Sequence, residues 1–331
     1  MAPMSGAGPV SASLALVAGT AFGVTAAAVP ACIVVSRRTG IVDRPGPLKV
    51  HQDPVPYLGG AAVFAGLVVA GLAGRPLALV PMAAALGVGV ADDRFDLDPK
   101  LRLVAQLGIG AVIAAVQPVH LPGLVGVPLV IAVTVVLING VNLLDGLDML
   151  AGGVVAVAAI GFAVLVHGPD RPVAAALAAA LAAFLLYNRP PARIYLGDGG
   201  SYLLGASISL LLAVTWAPGV RGPIGVAAMA LVAVPVAELA CAIVRRRRTG
   251  RSLLAGDRGH PYDRLVERGW PRTAVSGAYV GAEAAVAAAV IVVAPRASFA
   301  VALVLDVVAA VALLGACALA GGMDADAGGG A

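Results

Sequence analysis

Blocks of apolar residues, each near the length a helix needs to cross a bilayer, recur along almost the whole chain. No other feature restricts the fold as strongly. A helical span takes roughly 20 residues. Blocks near 10–35, 57–73, 76–91, 101–117, 121–138, 149–166, 172–187, 201–217, 223–244, 274–294 and 298–320 meet or approach that length. A membrane β-barrel would show short segments alternating with a period of two, and a stretch such as 173–187, VAAALAAALAAFLLY, has no such period. Helices are the spanning element that remains. The expected fold class is therefore all-α: a polytopic membrane protein with about 10–11 transmembrane helices in a single integral membrane domain over 1–320. Charged residues are 12% of the chain, against about 25% in soluble domains, which excludes an ordinary soluble protein. The Ala/Gly-rich tail at 321–331 is expected to be disordered.

With eleven spans, the odd-numbered loops carry Arg37, Arg38, Arg44 and Lys49; Arg94, Lys100 and Arg102; Arg189 and Arg193; and nine arginines between 245 and 272. The opposite loops hold only Arg75, Arg171, Arg221 and Arg296. Basic residues stay on the cytoplasmic side, so the N-terminus is expected outside, the C-terminus inside, and the protein in the cell membrane. The first 36 residues contain no Lys or Arg, so the first block reads as a retained span rather than a secretory signal. The odd number of cysteines, all in apolar blocks, suggests no disulfide framework. Arg245–Arg248 read as an anchor to lipid headgroups, and no nucleic-acid partner is expected. Twelve of the 18 acidic residues fall in the same loops as the basic ones. A carboxylate-rich face assembled from several loops on a helical scaffold is the expected site.

Three constellations carry the chemistry. Asp92 and Asp93 end the third span beside Arg94; adjacent carboxylates stay ionised together when a hard cation such as Mg²⁺, or Mn²⁺ in its place, is near. In Asn139-Gly-Val-Asn142-Leu-Leu-Asp145-Gly146-Leu147-Asp148, polar groups recur every three residues, which on a helix confines them to a narrow arc suited to a polar ligand. The run from Asn188 through Tyr195 to Gly197-Asp198-Gly199-Gly200-Ser201 flanks a carboxylate with glycines at a helix start that favours anions. Lys49 and His51 in the first cytoplasmic loop, and Arg258 and His260 in the last, add candidate phosphate contacts or a proton carrier. Glu238 is expected to reach the neighbouring arginines. Glu283 and Asp306 stand isolated inside spans, where acids are expensive.

Taken in order, these motifs resemble those of the polyprenyl-phosphate N-acetylhexosamine-1-phosphate transferases, which include phospho-N-acetylmuramoyl-pentapeptide transferase. The matching positions are Asp43…Lys49-Val-His51…Pro54-Val-Pro56-Tyr-Leu-Gly59-Gly60, Asp92-Asp93, Asn139 through Asp148, Asn188 through Ser201, and the basic loop with Asp257 and His260. The resemblance implies transfer of a sugar 1-phosphate from a UDP-N-acetylhexosamine to a membrane polyprenyl phosphate, with release of UMP and Mg²⁺ as cofactor. It implies that Asp198 holds the metal and that Asp92 and Asp93 act as base or metal neighbours, with His260 beside them. Lys49, His51, Asn139, Asn142, Asp145, Gly146, Leu147, Asp148 and Arg258 would line the donor pocket. Tyr195 would stack on uracil and Asn188 would support the metal and phosphate side. Dimers occur among such enzymes, so a homodimer among membrane lipids is a further expectation.

The chain departs from the family pattern at three places. The last loop keeps only the first histidine of Asp-x-x-His-x-His-His, Met149 replaces a glycine, and Glu238 stands where many members carry Asp. The altered histidine loop favours UDP-N-acetylglucosamine or a similar donor over the pentapeptide-bearing one. Two other readings stay open at this level: a secondary transporter using Glu283 and Asp306, and a relative that binds without turnover.

Overall fold

A computed structural model describes residues 9–44, 53–253 and 259–324. Lys49, His51 and Arg258 lie outside that set. The described chain is all-α apart from one two-stranded antiparallel ladder. The helices are α1 (Pro9–Thr39), α2 (Gly59–Gly74), α3 (Leu79–Phe95), α4 (Pro99–Val116), α5 (Gly123–Leu144), α6 (Leu150–Leu165), α7 (Arg171–Asn188), α8 (Gly197–Thr215), α9 (Gly222–Ala228), α10 (Ala233–Arg248), α11 (Pro261–Glu267), α12 (Arg272–Val293) and α13 (Phe299–Leu319). The ladder pairs β1 (Val42–Asp43) with β2 (Val55–Pro56) in the register Val42 to Pro56 and Asp43 to Val55.

Among the described residues, nine helical stretches are long and apolar enough to cross a membrane, and Gly59–Leu72 and Leu150–Leu165 are shorter apolar helices. The eleven apolar blocks of the sequence each fall on one of these. α9 and α10 together form one long stretch, Gly222–Arg248, broken by a 3₁₀ turn at Met229–Val232. Asp306 lies within hydrogen-bond reach of the Ala230 backbone in that turn, while its Oδ1 has no hydrogen-bond partner among the described residues.

α8 forms the centre. In its apolar window 94% of residues are buried, against 11% in α13 and 17% in α1. α3, α5 and α2 pack on α8, and α1, α7, α6 and α12 extend the bundle on one side. Small residues permit the close approach of helices that lipid surroundings reward; α8 offers Gly199, Gly200, Gly205, Ala206, Ser207 and Ser209. Ser209 also shares a 2.8 Å hydrogen bond with Thr134 of α5.

With α9 and α10 taken as one stretch, the long apolar helices alternate in direction, so the C-terminal ends of α1, α3, α5, α7 and α10 meet the N-terminal ends of α2, α4, α6, α8 and α12. Hydrogen bonds across this end include Tyr57 N–H to Ser36, Asn142 to Asp198, and Ser276 to the Asp148 carbonyl. The opposite end is tied by Arg75, which pairs with Asp170 at 2.9 Å and donates to Gln117 at 2.6 Å, and by Arg221 on the carbonyls of Pro295 and Ala297. Residues 321–324, expected to be disordered, instead fold back onto the site end, where Arg245 donates to the Gly322 carbonyl at 2.7 Å and Arg248 to that of Met323 at 3.0 Å. Gly322 fits against Pro261 where a larger side chain would collide. The remainder of the tail lies outside the described residues.

Candidate active site

Gly197 opens α8 with φ +69°, a left-handed conformation that glycine adopts without strain. The turn delivers Asp198 into the first turn of α8. Asn142, from the last turns of α5, donates to Asp198 Oδ1 at 2.6 Å and to Ser201 Oγ at 3.0 Å. Asp93 receives the Asp198 backbone N–H on one oxygen at 2.9 Å and that of Gly199 on the other at 3.1 Å. A helix start has orphan N–H groups and a partial positive charge. The sequence suggested that this start would receive a ligand anion, but the anion that occupies it is Asp93. The approach depends on Gly89, where a Cβ would collide with the backbone of Asp198 and Gly199.

Asp92 is buried and has three donors: Tyr202 Oη at 2.8 Å and Arg102 at 3.1 Å on Oδ2, and Leu97 N–H at 3.0 Å on Oδ1. Asp98 caps α4 through the Lys100 N–H and so sets the helix that presents Arg102. Asp92 lies within hydrogen-bond reach of Asp198. The adjacent acids therefore do different things, one gripping α8 and the other gripping a guanidinium and a phenol. Neither Arg102 nor Tyr202 was singled out from the sequence. Tyr202 carried a usable signal, since it lies four residues beyond Asp198 on the same face of one helix.

The chain leaves α5 at Asp145, which is half-buried. Burial first, and then the charges of Asp198, Asp93 and Asp148, push its carboxyl well above the usual range. The turn is packed from below: Tyr262 donates to the Leu143 carbonyl at 3.0 Å, and its ring fills the space where a side chain on Gly146 would go. Leu147 is buried and Asp148 accepts the Ala192 N–H at 3.3 Å. Met149 has φ +65°, which explains why a glycine suits this position in the family pattern. Its N–H is held by Asn188 Oδ1 at 2.7 Å, while Asn188 Nδ2 donates to the Ile194 carbonyl at 2.9 Å. Asn188, expected on the metal and phosphate side, is thus a buried brace between the 145–149 turn and the 189–195 segment.

Asn139 also departs from expectation. Its amide donates to Gln106 of α4 at 2.6 Å and to the Val135 carbonyl at 2.8 Å, whereas Asn142 faces Asp198. Three residues on a helix leave the two side chains about 60° apart, near neighbours on one face, yet one reaches α4 and the other α8. Tyr195 stands half-buried at the other side of the turn, its phenol pushed up to about 12 by burial and by the charges of Asp148 and Asp43. Tyr57 faces it with ring centroids 6.2 Å apart and planes at 43°.

His260 is withdrawn from the carboxylates. It is buried, its Nδ1 lies 2.8 Å from Glu238 Oε1, and its ring stacks on Tyr262. Tyr279 donates to the other Glu238 oxygen at 3.2 Å. Glu238, expected to reach arginines, serves this network. His260 thus touches the 145–146 turn only by way of Tyr262, on whose ring it stacks.

A divalent cation fits this donor set in one way. Among the described residues no three His, Cys, Asp or Glu side chains are placed to close around a metal. Mg²⁺, however, commonly takes one or two carboxylates and completes its shell with water and phosphate oxygens. Asp198 beside Asp92, with Asn142 bonded to Asp198, supplies that kind of partial shell.

Fold and site define a polytopic helical membrane enzyme whose acidic, hydrogen-bonded centre sits at one end of the bundle. Residues 76–216 match the model of glycosyl transferase family 4. The decaprenyl-phosphate N-acetylglucosaminephosphotransferase of Mycobacterium tuberculosis is 31% identical over 93% of this chain and 90% of its own length. A probable undecaprenyl-phosphate N-acetylglucosaminyl 1-phosphate transferase of Bacillus subtilis is 30% identical over 70% of this chain and 71% of its own. The undecaprenyl-phosphate alpha-N-acetylglucosaminyl 1-phosphate transferase of Escherichia coli K12 is 28% identical over 71% and 72%. The chain belongs to glycosyl transferase family 4.

Proposed function

We propose that the protein transfers N-acetylglucosamine 1-phosphate from UDP-N-acetylglucosamine to a polyprenyl phosphate at the cytoplasmic face of a cell membrane, releasing UMP and using Mg²⁺. The observation that carries this reading is the joint fixation of Asp198 by Asn142 and Asp93, beside Asp92 and its ion pair with Arg102. The names of the three relatives support the sugar and the acceptor class over the pentapeptide-bearing donor. The arginine-rich helix ends share the site's end of the bundle, which supports a cytoplasmic location.

An oxygen of the lipid phosphate attacks the sugar-bearing phosphorus of the donor. A P–O bond forms, the phosphoanhydride bond breaks, and its electron pair leaves with UMP. One anhydride replaces another, so the demand on the protein is to position two anions and balance their charge. Bound Mg²⁺ would neutralise the diphosphate and the departing UMP. A phosphate monoester with a second pKa near 6 is largely dianionic at pH 7, so Asp92 and Asp93 contribute mainly by ordering α8 and Arg102. Asp198 and Asn142 would hold the diphosphate end, with the 145–148 turn and Tyr195 at the nucleoside end.

UMP release by purified protein in detergent, given polyprenyl phosphate, Mg²⁺ and a panel of UDP-sugars, tests the reading. Turnover on UDP-N-acetylglucosamine that vanishes in Asp198→Ala and with chelator is the expected result. A folded protein that turns over none of the donors would overturn it.

A further inference from the structure

Tyr57 has no part in the reading above, yet its placement is among the most constrained at the site. Its N–H bonds to the Ile41 carbonyl at 3.3 Å and to Ser36 Oγ at 3.1 Å, fixing it between β2 and α2. The neighbouring Pro56 carbonyl accepts the Tyr195 N–H at 2.8 Å, and the Tyr195 carbonyl accepts the Gly59 N–H at 3.0 Å. The two tyrosines therefore stand on segments bonded directly to each other. Both rings are half-buried, whereas Tyr202 and Tyr262 beside the site are buried and occupied with Asp92 and the Leu143 carbonyl. The Tyr57 hydroxyl is in hydrogen-bond reach of Asp43, which orients the ring.

We infer that Tyr57 binds the donor, forming with Tyr195 a two-ring wall against the nucleobase, and that it helps set base preference. This rests on the proposed transfer from a nucleotide-sugar. Tyr57 feels the charges of Asp43, Asp93 and Asp145, and Tyr195 those of Asp148, Asp43 and Asp145. Carboxylates around aromatic faces repel phosphate but accept N–H and O–H donors, so this corner suits a neutral planar heterocycle and its ribose. Arg102, paired with Asp92, and the Asn142–Asp198 pair are the groups that can balance a diphosphate with its cation. Stacking of one base on one aromatic ring is sequence-tolerant and substantial, and its loss corresponds to about tenfold in affinity.

The test is UMP binding by calorimetry and separate donor and acceptor KM values for wild type, Tyr57→Leu and Tyr57→Trp. Tyr57→Leu keeps bulk but removes the π face; it should raise the UMP Kd and donor KM about tenfold and leave the polyprenyl phosphate KM within twofold. Tyr57→Trp should stay within about threefold of wild type. A UMP analogue with a saturated, non-planar base should bind wild type more weakly than UMP, and this discrimination should shrink in Tyr57→Leu. Unchanged UMP affinity in Tyr57→Leu, or a shift confined to the acceptor KM, overturns the inference. Should Tyr57→Leu not fold, loss of UMP binding in folded Tyr57→Trp, or a wild type indifferent to base planarity, overturns it instead. Wild type that neither binds UMP nor releases it condemns the transferase reading itself.

Discussion

The carboxylate of Asp93 bridges two backbone N–H groups in the first turn of α8, receiving Asp198 N at 2.9 Å and Gly199 N at 3.1 Å, and so fixes Asp198 through its main chain. A misplacement on the order of 1 Å near the reacting groups can cost about 100-fold in rate. Asp93→Ala should lower kcat by at least about that factor while leaving a folded protein. Asp93→Asn, which can still accept one of the two bonds, should fall between. Equal activity in all three proteins would show that the clamp is dispensable.

Met149 occupies a left-handed conformation at φ +65°, where a Cβ is strained by about 1–2 kcal/mol. Met149→Gly should relieve that strain and raise the melting temperature in detergent, with a net gain of about 1 kcal/mol or less after the entropy of glycine is counted. Met149→Val should move it the other way, because a β-branched residue tolerates this region least. A drop in stability for the glycine variant would contradict the account.

Asp145 holds its proton more tightly in the folded protein than in the unfolded chain. Its contribution to stability is therefore full below the ordinary carboxylate value near 3.9 and declines as pH rises above it, by up to about 1.4 kcal/mol per unit until the folded group ionises. Thermal unfolding of ligand-free protein from pH 4.5 upward should show that decline, and Asp145→Asn should flatten it. An unchanged slope in the variant would assign the effect to another group.

Glu283 is fully buried on α12, and neither carboxyl oxygen has a hydrogen-bond partner among the described residues. An unsatisfied buried polar group costs roughly 1–3 kcal/mol. Glu283→Leu should stabilise the protein by about that amount and leave UMP release within twofold. Lost activity without lost stability would mean that the carboxyl serves turnover, as a transport-like reading would require.

Much of the architecture was legible in the residues alone. The length of each apolar block depends on local composition and on the cost of charge in lipid, so the helices could be read before any contact was known. Asp92, Asp93, Asn142, Asp145 and Asp198 could be singled out as candidates because acids and amides clustered beside apolar blocks stand out against the cost of burying them.

What each of those residues does was decided by neighbours far away in the chain. Asp93 meets α8 across a separation of 105 residues, and Asp92 meets Tyr202 across 110. Asn139 and Asn142, alike in the sequence, part company because one faces Gln106 and the other Asp198. Asn188 and His260, which read as ligand contacts, are spent on the backbone and on Glu238. Tyr57, a member of the matching motif with no role of its own there, gains one only beside a second tyrosine ring 6.2 Å away. Spans follow from transfer free energy, a property each segment carries by itself. Whether a polar side chain binds a ligand or braces the fold depends on which donors and acceptors the packed helices bring within about 3 Å, and only the tertiary structure determines that.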